Sequence, residues 1–211
     1  MTEIDQATPR PADPGAMTGK ARSPAVSLPN ILTYGRIAAV PAIIILLFPR
    51  DDFGRWAALA IYIIASVTDF LDGYLARIWQ QQSALGRMLD PIADKLLVAT
   101  VILMLVAEGT IGGWSLLAAI VILSREVLVS GLREFLAEVQ VGVPVTRLAK
   151  WKTAIQMIAL GFLILGPTGE KFVPYVVEIG LTLLWIAALV TIYTGYDYFR
   201  SGLRRAMEED A

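Results

Sequence analysis

Six stretches of this chain are apolar over helical length and follow one another with only short breaks, at about 30–48, 54–79, 84–107, 113–138, 146–166 and 172–199. A helix that crosses a bilayer needs roughly 20 mostly apolar residues. Inside hydrocarbon every backbone N–H and C=O has to be satisfied within the segment itself, and a helix does that. All six segments reach the required length, the second, third and fourth through extensions that carry charge. A hydrophobic share of 56% and a mean hydropathy of +0.61 point away from an ordinary water-soluble domain. The expected fold is therefore an all-α integral membrane protein with six transmembrane helices.

The breaks carry turn residues, as in "FPRDDFG", "EGTIGG" and "GPTGEK". Trp56, Trp114, Trp151 and Trp185 fall near expected helix ends, where amphipathic rings sit at the membrane interface. Residues 1–26 are rich in Pro, Ala, Gly and polar residues and lack the apolar core of a cleaved signal, so they read as a disordered tail. Residues 27–200 form the membrane domain and 201–211 a polar C-terminal tail.

Lysine and arginine are unevenly placed. The two tails, the loop between segments two and three and the loop between four and five hold twelve of them, whereas Arg50, Arg55 and Lys171 lie on the opposite side. The positive-inside rule then puts both termini, and the acidic cluster described next, on the cytoplasmic face of the inner membrane. Arg36, Lys95 and Arg125 remain within helices and need another explanation. A formal net charge of −1 supplies no basic field for nucleic acid. The absence of cysteine excludes disulfides and thiolate chemistry. With no histidine either, a bound metal must rest on oxygen ligands, which favours Mg²⁺ or Mn²⁺.

Charge is concentrated where it is least welcome, in "TDFLDGYLARIWQQQSALGRMLDPIADKLL". At 100° per residue Asp69, Asp72, Gly73 and Ala76 share one helix face, and Gly86, Asp90 and Asp94 share a face of the next. Two antiparallel helices on a short linker would bring these faces together as a box of four carboxylates near the cytoplasmic boundary. Each aspartate alone reads equally as a solvated helix end. Four together would repel one another and would each cost about 2.5–3.5 kcal/mol at a helix centre. One or two divalent cations relieve both problems. Gly73, Ala76 and Gly86 either make room for a ligand or let helices pack closely, and the two uses are compatible.

The run reads D-x2-D-G-x2-A-R-x8-G-x3-D-x3-D from Asp69 to Asp94, and it resembles the signature of the CDP-alcohol phosphotransferases, membrane enzymes of phospholipid synthesis. "LPNILTYGRI", "SREVLVSGLREFLAE" and "AKWKTAIQM" are similar to segments of the branch that makes phosphatidylglycerophosphate, so the likeness runs from about 28 to 200. The resemblance implies attack of an alcohol on the β-phosphorus of a CDP-linked lipid, with release of CMP. It implies Asp69, Asp72, Asp90 and Asp94 as ligands of Mg²⁺ or Mn²⁺, two ions in all, with Asp94 as the general base. Asp69, Asp72, Gly73, Arg77 and Gly86 would hold the CDP group. A homodimer is implied on the same ground.

The signature leaves the acceptor open. Arg125 lies deep in the fourth segment, with Arg133 eight residues on at roughly the same face, and Lys150 and Lys152 open the fifth. Arg36 lies in the first. Such cations suit an acceptor that itself carries phosphate, which glycerol 3-phosphate does, with CDP-diacylglycerol as donor. The plainer alternatives are ion pairing with Glu126 and Glu134, and contact with anionic lipid. Asn30 and Thr33 read as helix caps or as contacts to nucleotide, with capping preferred. Rival readings are another acceptor (phosphatidylglycerol, serine or an inositol phosphate), an intramembrane prenyltransferase, or a cation transporter. The glycine and arginine spacing argues against the prenyltransferase, and the lack of an internal repeat argues against the transporter.

Overall fold

The computed structural model describes residues 28–79, 84–138 and 147–209, with side chains described over 31–68, 88–136 and most of 148–200. The expected tail at 1–26, the linker at 80–83 and the loop at 139–146 lie outside the described residues. All described secondary structure is helical: α1 (Leu28–Leu47), α2 (Asp52–Trp79), α3 (Ala84–Ala107), α4 (Ser115–Glu138), α5 (Arg147–Gly169) and α6 (Val176–Glu209).

Three helices contain stretches long and apolar enough to cross a membrane, at Ser115–Leu136, Lys150–Gly169 and Val176–Arg200. The apolar run of α1, Ile31–Leu47, is shorter, and α2 and α3 carry the charged extensions. The helix borders follow local chemistry. Leu28 opens α1 earlier than the apolar run suggests, so Asn30 and Thr33 lie within the helix and neither caps it. Gly112, Gly113 and Trp114 delay α4, and Tyr175, with φ of 63°, delays α6. Helix α6 continues to Glu209 through residues expected as a polar tail, because Leu, Arg, Ala, Met and Glu are good helix formers. Trp185, expected near a helix end, lies in the third turn of α6 instead.

Helix α1 packs against α2 and α3, α2 against α5, α5 against α6, α6 against α4, and α4 touches α3, which closes a ring. The contact of α3 with α5 crosses it. Small side chains mark the close approaches: Ala58, Ala93, Ala118, Ala159 and Ala187 are wholly buried. Ile43, Ile102, Leu105, Ile122, Leu160 and Leu163 fill the rest of the core. Large apolar side chains on the outside, such as Ile45, Phe48, Val127, Leu128 and Leu189, are more than half exposed, as suits a surface facing lipid.

The end of the bundle opposite the aspartates has its own polar fastening. Gly166 leaves helical geometry (φ 51°, ψ −142°) just before Pro167, kinking α5. The Arg55 guanidinium occupies the space a Cβ at Gly166 would take and donates to Ile164 O at 3.0 Å. It also pairs with Glu108 at 2.9 Å, both side chains being buried. Nearby, Lys171 and Thr168 both hydrogen-bond Asp52, and the Lys171 ammonium, with the Thr168 hydroxyl, holds that carboxyl below the usual carboxylate range. Trp56 meets Phe172 edge-on at 5.8 Å. Thus Arg55, counted in sequence among loop cations, is a buried brace between α2, α3 and α5.

Candidate active site

Asp90 and Asp94 lie one turn apart on α3, as their spacing requires. Asp69, Asp72, Gly73 and Arg77 lie in the last third of α2 and Gly86 in the first turn of α3, and their side chains fall outside the described residues. Among the described residues no three acidic side chains come together as a metal cage. The structure therefore describes the α3 half of the expected carboxylate box and the cations that surround it.

Asp90 receives two partners from α1. The Thr33 hydroxyl donates to Asp90 Oδ1, and the Arg36 guanidinium stands 3.8 Å from the same oxygen. Arg36 is only 2% exposed. Thr33 and Arg36 are three residues apart on one face of α1, so their joint delivery follows from helical period. Among the described residues both contacts fall on Oδ1. Asp94 feels the charges of Arg36, Lys95 and Lys152, from α1, α3 and α5. Lys95 itself donates back to Pro91 O at 3.1 Å.

The opposite wall comes from α4, α5 and α6. Lys152 is buried, 3% exposed, and its ammonium pairs with Glu126 of α4. Arg125 stands 3.8 Å from the same carboxylate oxygen. The stem of Arg125 lies across α6 at Gly195, where an added Cβ would come within 3.1 Å of Arg125 Cγ. Gly195 thus gives the arginine its path to the interior. Arg133 and Lys150 are exposed, although Arg133 is near enough for its charge to act on Arg125 and Lys95. Of the five cations singled out in sequence, Arg36, Arg125 and Lys152 converge on the interior, and Arg133 and Lys150 lie at its rim.

Sequence reasoning missed three features. Thr33 holds a carboxylate rather than capping α1. Glu126 serves Lys152 as well as Arg125, a contact across 26 residues that no spacing rule reveals. Gln156 is buried on α5 one turn past Lys152, and the available signal was a lone amide in an apolar run.

The donor set suits a hard divalent cation. Asp90 and Asp94 offer only oxygen, share a face, and Asp90 is partly open to solvent at 28%. Arginines and a lysine packed beside carboxylates can hold anionic oxygens on one side and a cation on the other. Next to this site, between α2 and α5, runs an apolar groove of about 390 Å³ lined by Leu59, Ile63, Val67, Met157, Ile158 and Phe162, among others.

Residues 26–193 match the family of CDP-alcohol phosphatidyltransferases. The chain is 49% identical over 175 residues to the CDP-diacylglycerol–glycerol-3-phosphate 3-phosphatidyltransferase of Rickettsia bellii, covering 83% of this chain and 94% of that one. It is 40% identical over 217 aligned positions to the enzyme of the same name from Cereibacter sphaeroides, covering 87% and 98%. The Haemophilus influenzae enzyme of that name is 36% identical, over 82% and 92%. With a match of this extent across the bundle and both walls of the site, the chain belongs to the CDP-alcohol phosphatidyltransferase family.

Proposed function

We infer that this chain transfers the phosphatidyl group of CDP-diacylglycerol to glycerol 3-phosphate, giving phosphatidylglycerophosphate and CMP. The names of its relatives support the reaction and both substrates. The observation that carries the choice of acceptor is the burial of Arg36 and Lys152, whose charges both reach Asp94, with Arg125 on the same Glu126 oxygen as Lys152. A dianionic phosphate monoester gives these cations a stronger partner than a zwitterion such as serine, whose ammonium they would repel.

In this reading the carboxylates of Asp69, Asp72, Asp90 and Asp94 hold Mg²⁺ or Mn²⁺, two ions in all. Bound there, the metal neutralises the pyrophosphate and eases departure of the CMP oxygen. Gly73, Arg77 and Gly86 line the CDP pocket. Thr33 and Arg36 fix the orientation of Asp90. Lys152 and Arg125 hold the acceptor phosphate, with Arg133 and Lys150 drawing it in from the rim. Asp94 takes the proton of the acceptor hydroxyl as its oxygen attacks the β-phosphorus and the bond to CMP breaks. The α2–α5 groove gives the acyl chains a lateral entry. Six spanning helices, both termini and the site on the cytoplasmic side of the inner membrane, and a homodimer complete the proposal.

The test is CMP release by the full chain purified in detergent, with CDP-diacylglycerol, Mg²⁺ or Mn²⁺, and one acceptor at a time. Release only with glycerol 3-phosphate, abolished by EDTA and restored by metal, is the expected result. Release with a different alcohol overturns the reading of the cation wall, and release unaffected by EDTA overturns the metal.

A further inference from the structure

The reaction above accounts for the carboxylates and the cations but leaves a set of buried polar groups behind them unused. Gln156 is 3% exposed, and its Oε1 has no hydrogen-bond partner among the described residues. Thr191 is wholly buried, and neither its hydroxyl nor Arg125 Nε has a hydrogen-bond partner among the described residues. A buried acceptor left unsatisfied costs about 1–3 kcal/mol. Native proteins keep few such groups, and those they keep have a ligand, a water or a catalytic task to explain them.

The placement of Gln156 narrows the task. It follows Lys152 by four residues on α5, so it shares that lysine's face and lies about 6 Å deeper along the helix. The other face of α5, with Met157, Ile158, Gly161 and Phe162, lines the apolar groove. Gln156 therefore belongs to the polar interior and not to the lipid-facing groove. Gly180 abuts Phe162 and Leu163, and Gly169 abuts Val176, which fixes the α5–α6 register. Carried toward the site, that register sets Thr191 level with Lys152. Gln156 Oε1 is thus the acceptor without a partner among the described residues that lies one turn below Lys152, while Arg125 reaches the Glu126 oxygen that Lys152 also holds.

Glycerol 3-phosphate has three polar parts. The cations take its phosphate and Asp94 faces the attacking hydroxyl, which leaves the hydroxyl on the central carbon. We propose that Gln156 Oε1 accepts a hydrogen bond from that central hydroxyl, which makes Gln156 a specificity-determining residue for the acceptor. The inference rests on the acceptor reading given above. It also assigns to Gln156 the choice between the two mirror-image glycerol phosphates, since the central carbon is their only point of difference.

The test compares glycerol 3-phosphate with 3-hydroxypropyl phosphate, which lacks the central hydroxyl, in the CMP-release assay on the full chain. The natural protein should prefer glycerol 3-phosphate by about 10- to 100-fold in kcat/KM, the equivalent of one hydrogen bond to a buried group. Gln156→Met, close in size and without the oxygen acceptor, should bring the two acceptors to within about threefold and leave the KM for CDP-diacylglycerol unchanged. A structural role would lower both acceptors by the same factor, and that parallel loss overturns the proposal. Gln156→Glu keeps an oxygen in place and should retain the preference whatever its overall rate, so it reads out even if the methionine variant does not fold. Indifference to the central hydroxyl in the natural protein, with glycerol 3-phosphate turned over normally, would sink the role of Gln156 alone. No turnover of glycerol 3-phosphate at all would remove both readings together.

Discussion

Burial, not charge alone, should decide which cations matter for the acceptor, and Lys152 is the sharpest case. Its ammonium is 3% exposed and held by Glu126, whose side chain is 21% exposed. Lys152→Met removes a charge-assisted hydrogen bond to phosphate, worth about 1.5–3 kcal/mol. It also leaves Glu126 facing the phosphate with only Arg125 to offset it, at 3.8 Å. A combined loss of about 2–3 kcal/mol corresponds to about a 30- to 150-fold rise in the KM for glycerol 3-phosphate. Arg133 and Lys150 are exposed, so solvent and salt screen them, and alanine there should cost under about 1 kcal/mol, or less than fivefold. Steady-state CMP release with each substrate varied in turn reads both numbers. The double variant Lys152→Met/Glu126→Gln should recover part of the loss, because the stranded carboxylate is gone. Equal KM effects from Lys152→Met and Arg133→Ala, or no recovery in the double variant, would refute the reasoning.

Three further outcomes follow from the same geometry. Arg55→Met strands the buried Glu108 carboxylate and should lower the stability of the detergent-solubilised protein by about 3–5 kcal/mol, while Arg55→Met/Glu108→Leu should recover most of it; thermal unfolding of the two variants checks this. Thr33→Val removes the donor to Asp90 Oδ1 and should raise the metal concentration needed for half-maximal activity severalfold, with KM for the acceptor little changed, as a metal titration of CMP release would show. Asp94→Asn should abolish turnover and keep most of the binding of CDP-diacylglycerol, and a nucleotide-lipid binding assay beside the rate assay separates the two.

The six helices were legible because apolar runs of helical length announce themselves, although only three contain stretches long and apolar enough to cross a membrane. Helix α3 has the bounds its apolar run predicts; α1, α2, α4 and α5 differ from theirs by one to three residues at an end, and α6 starts late, after Tyr175. The overrun of α6 escaped because a polar helix beyond the apolar span has no hydropathy signal. In the site, Asp90 and Asp94 were readable from their i, i+4 spacing. Lys150 and Lys152 were not separable, since two residues on a helix turn about 200° and sequence does not say which side meets the bundle. The neighbours in space, Glu126 with Lys152 and Thr33 with Asp90, depend on helix packing across 26 and 57 residues, and no local pattern encodes that. Arg55 was hidden for the same reason: its partners are Glu108, just past the end of α3, and Ile164 on α5.

The arrangement of charge also explains how two anionic substrates can share one small site. The carboxylates come from α2 and α3, while the inward cations come from α1, α4 and α5. In the proposed reaction the donor's pyrophosphate would be recognised through metal on the acidic wall and the acceptor's phosphate directly on the basic wall, so the two groups would be drawn apart rather than crowded together. Each wall is also partly neutralised before substrate arrives, Asp90 by Thr33 and Arg36, Lys152 by Glu126. That internal pairing lowers the cost of holding charge at membrane depth. It equally means that an arriving phosphate must share Lys152 with Glu126, which keeps acceptor binding weaker than the cation count alone would give. On the proposed reading, an acceptor held by its phosphate on the basic wall would present its free hydroxyl toward Asp94, as the part that reaches the β-phosphorus.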